Sequence, residues 1–129
     1  MPTPEPAPTR GDIDRVIRVF ETLTPASVGE LRAIYASDAF FADPFQEVRG
    51  MDAIEQVFRH MFGTLDNPRF VVTGSVLQGQ QCVLLWDFRF RFRGFHTGVE
   101  QSIPGASHLR FGAEGRIVHH QDYWDAAHG

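Results

Sequence analysis

The hydrophobic positions in the first quarter of the chain recur every three to four residues, as they do along one face of an α-helix. The first set follows Asp12, a typical N-cap residue, and predicts a helix that ends near Thr24-Pro25. Ser27 and Glu30 have the S-x-x-E spacing of a capping box, which predicts a second, short helix. The apolar positions of these two stripes are Ile13, Val16, Ile17, Phe20 and Leu23, followed by Leu31, Ile34 and Tyr35.

The pattern changes twice after the second helix. The apolar run at residues 40–45 contains Pro44, so short extended pieces are predicted on either side of Asp43-Pro44. A third helix is predicted from Gly50 to Gly63 or to Asp66-Asn67-Pro68. Beyond it, runs of Val, Phe, Leu and Ile bounded by glycines predict four consecutive strands of an antiparallel sheet. These strands are expected near 69–78, 81–93, 99–111 and 116–124.

The order of these elements predicts one α+β domain, with three N-terminal helices packed on a strongly bent, mainly antiparallel sheet. Helices that cover four or more long strands can leave a cone-shaped hollow, so an internal pocket is expected. The length of 129 residues fits a single domain. Alternating prolines predict a disordered tail over residues 1–11, which leaves the domain at 12–125 and a second tail at 126–129.

Composition narrows the classes of function. The net charge is -4 and no basic cluster is present, so nucleic acid is not an expected partner. All twelve basic residues are arginine, which excludes a Schiff-base lysine and a phosphate-loop lysine. The glycines form no G-x-G-x-x-G loop, so no cofactor is expected. The single cysteine, Cys82, and the lack of any long apolar run predict a soluble, cytoplasmic protein that does not bind membranes.

The predicted strand 81–93 alternates between aromatic and charged residues. The alternation places Trp86, Phe88, Phe90 and Phe92 on one side and Asp87, Arg89, Arg91 and Arg93 on the other. The aromatic side is expected in the core. Three arginines on one strand face favour a solvated or subunit-facing ladder over an anion site. A homodimer is therefore expected through the outer sheet face, with Arg89, Arg91, Tyr123 and Asp125 as candidate contacts.

The last predicted strand contains the best candidates for chemistry. His120, Asp122 and Trp124 share one face, and the other face is mostly polar, so these three side chains are expected to point inward. A carboxylate held among aromatic groups is poorly solvated, which lets it exchange protons near neutral pH. His120 and Asp122 are thus candidates for acid–base catalysis. The alternative is that they simply hydrogen-bond each other at the end of the sheet.

Asp43 is a third candidate, because it lies among the phenylalanines Phe40, Phe41 and Phe45. Either its carboxylate looks into the hollow, or it caps a turn, as Asp before Pro commonly does. A metal site built from Asp43, His120 and Asp122 is conceivable, but His-x-Asp is a short match, so no metal is expected.

The element order, the segment Phe41-Ala42-Asp43-Pro44-Phe45 and the ending Gly115-Arg-Ile-Val-His-His-Gln-Asp-Tyr-Trp-Asp125 resemble the nuclear transport factor 2-like superfamily. This superfamily includes SnoaL-like polyketide cyclases and ketosteroid isomerases. The resemblance covers residues 12–125 and implies a cone-shaped, cystatin-like α+β barrel that is commonly dimeric.

The resemblance also implies roles for individual residues. In ketosteroid isomerases an Asp-Pro in this place supplies the base, and Asp43 matches it. The two donors that stabilise the oxyanion there fall at Phe20, which cannot donate, and at Ser107, which donates weakly. SnoaL-like cyclases place an acid–base Asp on the last strands, where Asp122 stands with His120 beside it.

Two hypotheses about function follow. In the first, the hollow binds a small apolar carbonyl or polyene compound, and Asp43, Asp122 and His120 transfer protons, as in an isomerase, cyclase or dehydratase. The residues expected to bind that substrate are Phe20, Phe58, Trp86, Phe88, Ser107 and Trp124. In the second, the same fold is a non-catalytic ligand-binding or dimeric interaction domain.

Overall fold

The structure is a computed structural model that describes residues 6–95 and 97–125. The predicted tail segments 1–5 and 126–129 lie outside the described residues. The chain forms an α+β fold with three helices and a six-stranded, mostly antiparallel sheet that curls without closing. Within the described residues, no helix is both long and apolar enough to cross a membrane.

The first helix, α1, spans Arg10–Glu21 and starts earlier than the sequence predicts. The Thr9 hydroxyl accepts a hydrogen bond from the Asp12 backbone N–H at 3.0 Å, and the Asp12 carboxylate accepts one from the Thr9 N–H at 2.8 Å. This capping box makes Thr9 the N-cap and Asp12 the third helical residue. Arg10 and Gly11, which were assigned to the tail, are therefore helical.

The second helix is a 3-10 helix over Pro25–Ala33. Its cap is Thr24, whose hydroxyl accepts from the Ser27 N–H at 3.2 Å, so Ser27 completes the cap instead of starting it. Tyr35, predicted to end this helix, begins a strand. The third helix, α2, spans Met51–Thr64 and follows Gly50 as predicted.

The sheet contains all four predicted strands and two short ones before α2. The strands are β1 (Tyr35–Ala42), β2 (Glu47–Arg49), β3 (Leu65–Gln78), β4 (Gln81–Phe92), β5 (Gln101–Phe111) and β6 (Ile117–Trp124). Their order is β2-β1-β6-β5-β4-β3, and only the β1–β6 pair is parallel. β3 begins four residues earlier than predicted. It tolerates Pro68 because it is an edge strand, where a missing N–H costs little.

One hydrophobic core joins the helices to alternate positions of the strands. Buried residues of α1, the 3-10 helix and α2 pack with strand residues that include Cys82, Leu84 and Trp86. This confirms the predicted alternation along β4, although Phe88 and Phe92 are only half-buried. Arg93 does not extend the outward ladder, because its guanidinium donates to the carbonyls of Phe62 and Leu65 where α2 ends.

Candidate functional site

Two polar side chains of β6 are buried in the core. His120 is 2% exposed and Asp122 is 7% exposed, as the alternation along this strand predicted. Because β6 lies between β1 and β5, its register places His120 beside Phe41 of β1 and Asp122 beside Ser107 of β5. The curled sheet thus brings an imidazole, a carboxylate and a hydroxyl to one place in an apolar interior.

A chain of hydrogen bonds connects five side chains at this place. The Tyr35 hydroxyl lies 2.6 Å from His120 Nδ1, and His120 Nε2 lies 2.6 Å from Asp122 Oδ1. From the other side, the Ser107 hydroxyl donates to Asp122 Oδ1 at 2.5 Å and accepts from Trp86 Nε1 at 2.9 Å. The hydrogen bond expected between His120 and Asp122 is therefore present, but the pair belongs to a longer, buried network.

The protonation states of these side chains determine which group donates in each hydrogen bond of the network. Burial, reinforced by the Asp122 carboxylate, raises the pKa of Tyr35 well above its usual value, so the residue remains a phenol. Because a carboxylate only accepts, His120 Nε2 donates to Asp122 Oδ1, and in the neutral imidazole Nδ1 then accepts from the Tyr35 hydroxyl. The donors from both ends of the network then converge on Oδ1 of Asp122.

The second carboxylate oxygen of Asp122 has a different environment. Both hydrogen bonds from Ser107 and His120 go to Oδ1, and no donor among the described residues bonds Oδ2. The network therefore fixes the position of the carboxylate while Oδ2 keeps its lone pairs for another molecule. A positioned carboxylate with one uncommitted oxygen can accept a proton from a bound compound.

Asp122 lines a small cavity with largely aromatic walls. The lining residues are Phe20, Phe58, Phe70, Val72, Leu84, Trp86, Ser107, His120 and Asp122. The space open to the centre of a water-sized sphere is about 10 Å³, which is the room that one water molecule needs. The spacious hollow expected from the sequence is thus largely filled. The rings that fill it lie close together, with Phe20 6.2 Å from Phe58 and 6.4 Å from Phe70 between centroids.

The cavity brings together most, but not all, of the predicted site residues. Those that line it are Phe20, Phe58, Trp86, Ser107, His120 and Asp122. Phe88 and Trp124 do not line it. Phe88 packs against Phe70 at 4.9 Å, and Trp124 lies 6.4 Å from Trp86, so both support the aromatic wall from outside.

Asp43 is not part of this site, and its predicted place in the pocket is wrong. Its Oδ1 accepts hydrogen bonds from the backbone N–H groups of Phe45 at 2.8 Å and Gln46 at 3.0 Å. Its Oδ2 accepts from the Gln46 side chain at 3.2 Å. These bonds close the turn between β1 and β2, which is the turn-capping alternative for Asp before Pro.

Tyr35 is the member of the network that the sequence did not reveal. Its position after Leu31 and Ile34 continues a helical stripe, and that spacing concealed its role. In the structure it begins β1, where the register with β6 shifts between Tyr35 and Phe40. A tyrosine at the start of a strand beside the one that carries His120 is the signal that could have indicated it.

We expect stability to fall at high pH because of Tyr35. Its pKa is raised on folding, so above the usual value near 10 the unfolded chain loses the phenolic proton while the folded chain keeps it. The free energy of unfolding should then fall with rising pH, by up to about 1.4 kcal/mol per unit. Chemical unfolding followed between pH 9 and 11 measures this slope.

The control for this slope is a Cys82→Ala background, because burial also raises the pKa of the Cys82 thiol and adds a slope of the same sign. Within that background, Tyr35→Phe should flatten the dependence. An equal slope with and without the phenol would show that Tyr35 ionises as freely in the folded chain as in the unfolded one.

The described residues contain no group of three or more His, Cys, Asp or Glu side chains placed to hold a metal ion. Asp43, the third ligand considered from the sequence, is committed to its turn.

Comparison with known proteins assigns the family. The model of the SnoaL-like domain matches residues 16–120, which end two residues before Asp122. The chain therefore belongs to the SnoaL-like domain family. No curated protein matches it.

Solved structures show the same fold at low sequence identity. A nuclear transport factor 2-like protein of unknown function from Burkholderia pseudomallei K96243 has a TM-score of 0.78 and 19% identity, covering 92% of this chain and 94% of that one. A candidate SnoaL-like polyketide cyclase from Jannaschia sp. CCS1 has a TM-score of 0.76 and 15% identity, covering 97% and 90%.

A third similar structure is a protein with a ketosteroid isomerase-like fold from Catenulispora acidiphila DSM 44928, in complex with trimethylamine. Its TM-score is 0.76 at 16% identity, and the match covers 92% of this chain and 88% of that one.

Proposed function

We propose that the protein is an acid–base enzyme that moves a proton on a small, largely apolar carbonyl or polyene compound. The observation that carries this proposal is the Asp122 carboxylate, buried in an aromatic cavity with Oδ1 held by two donors and Oδ2 uncommitted. Proton transfer next to a carbonyl needs a base of this kind, positioned and shielded from bulk water. Isomerisation, cyclisation and dehydration all contain such a step.

Each residue of the network has a role in this proposal. Oδ2 of Asp122 accepts a proton from the carbon next to the carbonyl and later returns it to the same or a neighbouring carbon. Once Asp122 is protonated it needs fewer donors, so the Ser107 hydroxyl, still held by Trp86 Nε1, can turn toward the oxygen that gains charge. His120 and Tyr35 keep the carboxylate in place.

The size of the cavity limits how the substrate enters. The free space holds about one water molecule, so a carbonyl oxygen can take that water's place, but a larger body must displace aromatic side chains. Phe20, Phe58 and Phe70 form the wall that has to move. With these rings turned aside, the helices and the curled sheet would enclose the cone-shaped pocket that the family resemblance implies.

The test of this proposal is proton exchange on carbon. Small cyclic ketones and their β,γ-unsaturated analogues are incubated with the protein in deuterium oxide, and NMR follows deuterium uptake next to the carbonyl. We expect uptake, or migration of the double bond, faster than in buffer for at least one compound. Exchange at the buffer rate across the series would contradict the proposal.

A second candidate function is binding of a small alkylammonium ion without chemistry. Four aromatic rings and one carboxylate line the cavity, and aromatic faces attract cations that lie within about 6 Å of them. The trimethylamine complex of the Catenulispora protein provides a precedent on a similar fold. Titration with trimethylammonium, followed by tryptophan fluorescence, tests it. Saturable binding with no carbon-proton exchange would favour this function over catalysis.

We also propose that two copies pair through the outer face of the sheet. Support comes from an exposed apolar patch there: Leu85 and Tyr123 flank Ala106 on adjacent strands, and both side chains are about half exposed. Two other contacts expected from the sequence are already paired within the chain, because Arg89 lies 3.8 Å from Asp87 and Arg91 lies 3.9 Å from Glu100. The apolar patch is therefore the proposed centre of the contact.

Tyr123→Glu is expected to convert a homodimer into a monomer. At a two-fold contact the substitution places two like charges close together in a poorly solvated place. Light scattering at a fixed protein concentration gives the mass. Val99→Glu, which also charges an exposed apolar position but lies outside the strands, should leave the mass unchanged. A wild-type protein that is monomeric throughout would refute the pairing.

A further inference from the structure

A second, larger depression lies at the end of the fold where α1 and α2 terminate. This outer cleft encloses about 380 Å³, which is within the range of small-molecule sites. Its floor includes Phe62 and Leu65, and its rim carries Glu21, Asp66, Arg69 and Arg93. None of these residues belongs to the network around Asp122.

The outer cleft and the cavity are neighbours along three elements. Phe20 of α1 lines the cavity and the next residue, Glu21, lines the cleft. On α2, Phe58 lines the cavity and Phe62, four residues on, lines the cleft, about 6 Å further along the helix axis. On β3, Phe70 lines the cavity and Arg69 the cleft.

On each of these elements the lining changes from cavity to cleft toward the same end of the structure as Arg93, another residue of the cleft lining. This end lies at the C-termini of α1 and α2 and at the N-terminus of β3. Because β3 is antiparallel to β4, its first residue, Leu65, pairs with Phe92, the residue before Arg93. The rings of Phe20, Phe58 and Phe70 line the cavity, and the ring of Phe62 lines the cleft one helical turn from Phe58. An elongated ligand that turns these rings aside would therefore occupy both.

Arg93 determines which charge a ligand can place in the outer cleft. Its Nε and Nη2 donate to the carbonyls of Leu65 and Phe62, both at 3.2 Å, so the guanidinium is held in place. No carboxylate of the described residues forms an ion pair with it, whereas Arg69 in the same cleft is paired with Glu100. Its remaining group, Nη1, makes no hydrogen bond within the described part of the chain, and so can donate to a ligand.

The two acidic side chains of the cleft, Glu21 and Asp66, oppose the binding of an anion only in part. Glu21 is committed through Oε2 to the Val72 N–H at 2.9 Å. Asp66 is exposed and forms no ion pair among the described residues, so it opposes an anion from a solvated position. The cleft is lined by two negative and two positive side chains, so the preference for an anion comes from direct contact with the fixed Nη1 of Arg93 and not from the net charge of the cleft.

We propose that the outer cleft is the polar compartment of the ligand site and binds a carboxylate on Arg93, while the apolar body of the same ligand extends toward the cavity. The distance suits an elongated compound, because Leu65 and Phe70 of β3 pair with Phe92 and Phe88, four residues apart on β4 or roughly 13 Å in an extended strand. This proposal rests on the proposed function only in that it takes the cavity as a ligand site. The substrate class is then an apolar compound with a terminal carboxylate.

The probe is decanoate, with 1-decanol and decylammonium as partners of equal chain length and different charge. Binding is followed by tryptophan fluorescence, because Trp86 lines the cavity and Trp124 lies beside it. We expect decanoate to bind more tightly than decanol and decylammonium to bind most weakly. Decanol that binds as tightly as decanoate would overturn the proposal.

Substitutions locate the carboxylate. Arg93→Gln should weaken decanoate binding about 10-fold to 100-fold and leave decanol unaffected, since one charge-assisted hydrogen bond is lost. Asp66→Asn should strengthen it modestly by removing a like charge. Arg89→Gln, four residues earlier on β4 and paired with Asp87, is the matched control and should change nothing. Unchanged decanoate affinity in a folded Arg93→Gln protein would overturn the assignment.

The same titration separates this inference from the proposed function. Asp122→Asn should retain decanoate selectivity over decanol even though it removes the base. Loss of carbon-proton exchange with retained selectivity supports both proposals. Selective binding by a wild-type protein that shows no exchange would leave the cleft as a carboxylate site and contradict only the catalytic function.

Discussion

Replacing Asp122 by asparagine is expected to slow carbon-proton exchange by about 100-fold to 10,000-fold, the usual contribution of a positioned general base. The amide has nearly the same shape as the carboxylate, and its oxygen can still accept from Ser107 and His120. The amide nitrogen, which takes the place of Oδ2, cannot accept a proton. The variant therefore removes the base while the surrounding hydrogen bonds have a substitute acceptor.

The measurement is the rate of deuterium uptake by the best ketone found for the wild-type protein, at saturating concentration. The KM should change less than kcat, because the aromatic walls that hold the apolar body remain. Chemical unfolding of the same variant shows whether the fold persists. Exchange at more than a tenth of the wild-type rate in a folded variant would remove Asp122 from the proposed mechanism.

Asp43→Asn is the matched control for this experiment. The same chemical change is made at a carboxylate that the sequence offers as a catalytic candidate and the structure places in a turn. An asparagine side chain can still accept from the Phe45 and Gln46 N–H groups, so little stability should be lost. The exchange rate should stay within about twofold of wild type, a shift well below the effect of losing a base.

Strand periodicity alone was enough to predict where two catalytic candidates, His120 and Asp122, lie. His120 and Asp122 lie on one face of a strand whose other face is polar, and that pattern determines which side chains enter the core. Ser107 could be placed only through the family resemblance, and the structure puts it opposite Asp122 on β5. Both inferences depend on register, which a two-residue period specifies well.

The sequence could not decide between contacts that depend on one local conformation. Asp43 before a proline fits a turn and a pocket equally well, and only the hydrogen bonds to Phe45 and Gln46 distinguish the two. Tyr35 fits a helical stripe until the chain is seen to change to a strand at that residue. The volume of the cavity depends on how three phenylalanine rings pack, which no periodicity encodes.

Gly105→Ala is expected to have the largest effect on stability. A Cβ at Gly105 would lie 2.4 to 2.9 Å from three ring atoms of Trp86, which packs flat against this glycine on the neighbouring strand. Atoms cannot approach so closely, so the buried indole must move. Overpacking of this kind costs about 1 to 3 kcal/mol, and the free energy of unfolding should fall accordingly.

The displacement should also reach the carboxylate, because Trp86 Nε1 donates to Ser107 and Ser107 donates to Asp122. We therefore expect a shift of tryptophan emission and slower carbon-proton exchange in the same variant. Gly63→Ala is the matched control, since nothing lies within 4 Å of a Cβ there and alanine favours the helix. If Gly105→Ala unfolded at the wild-type denaturant concentration with unchanged emission, Trp86 would not be the rigid support that holds Ser107 on Asp122.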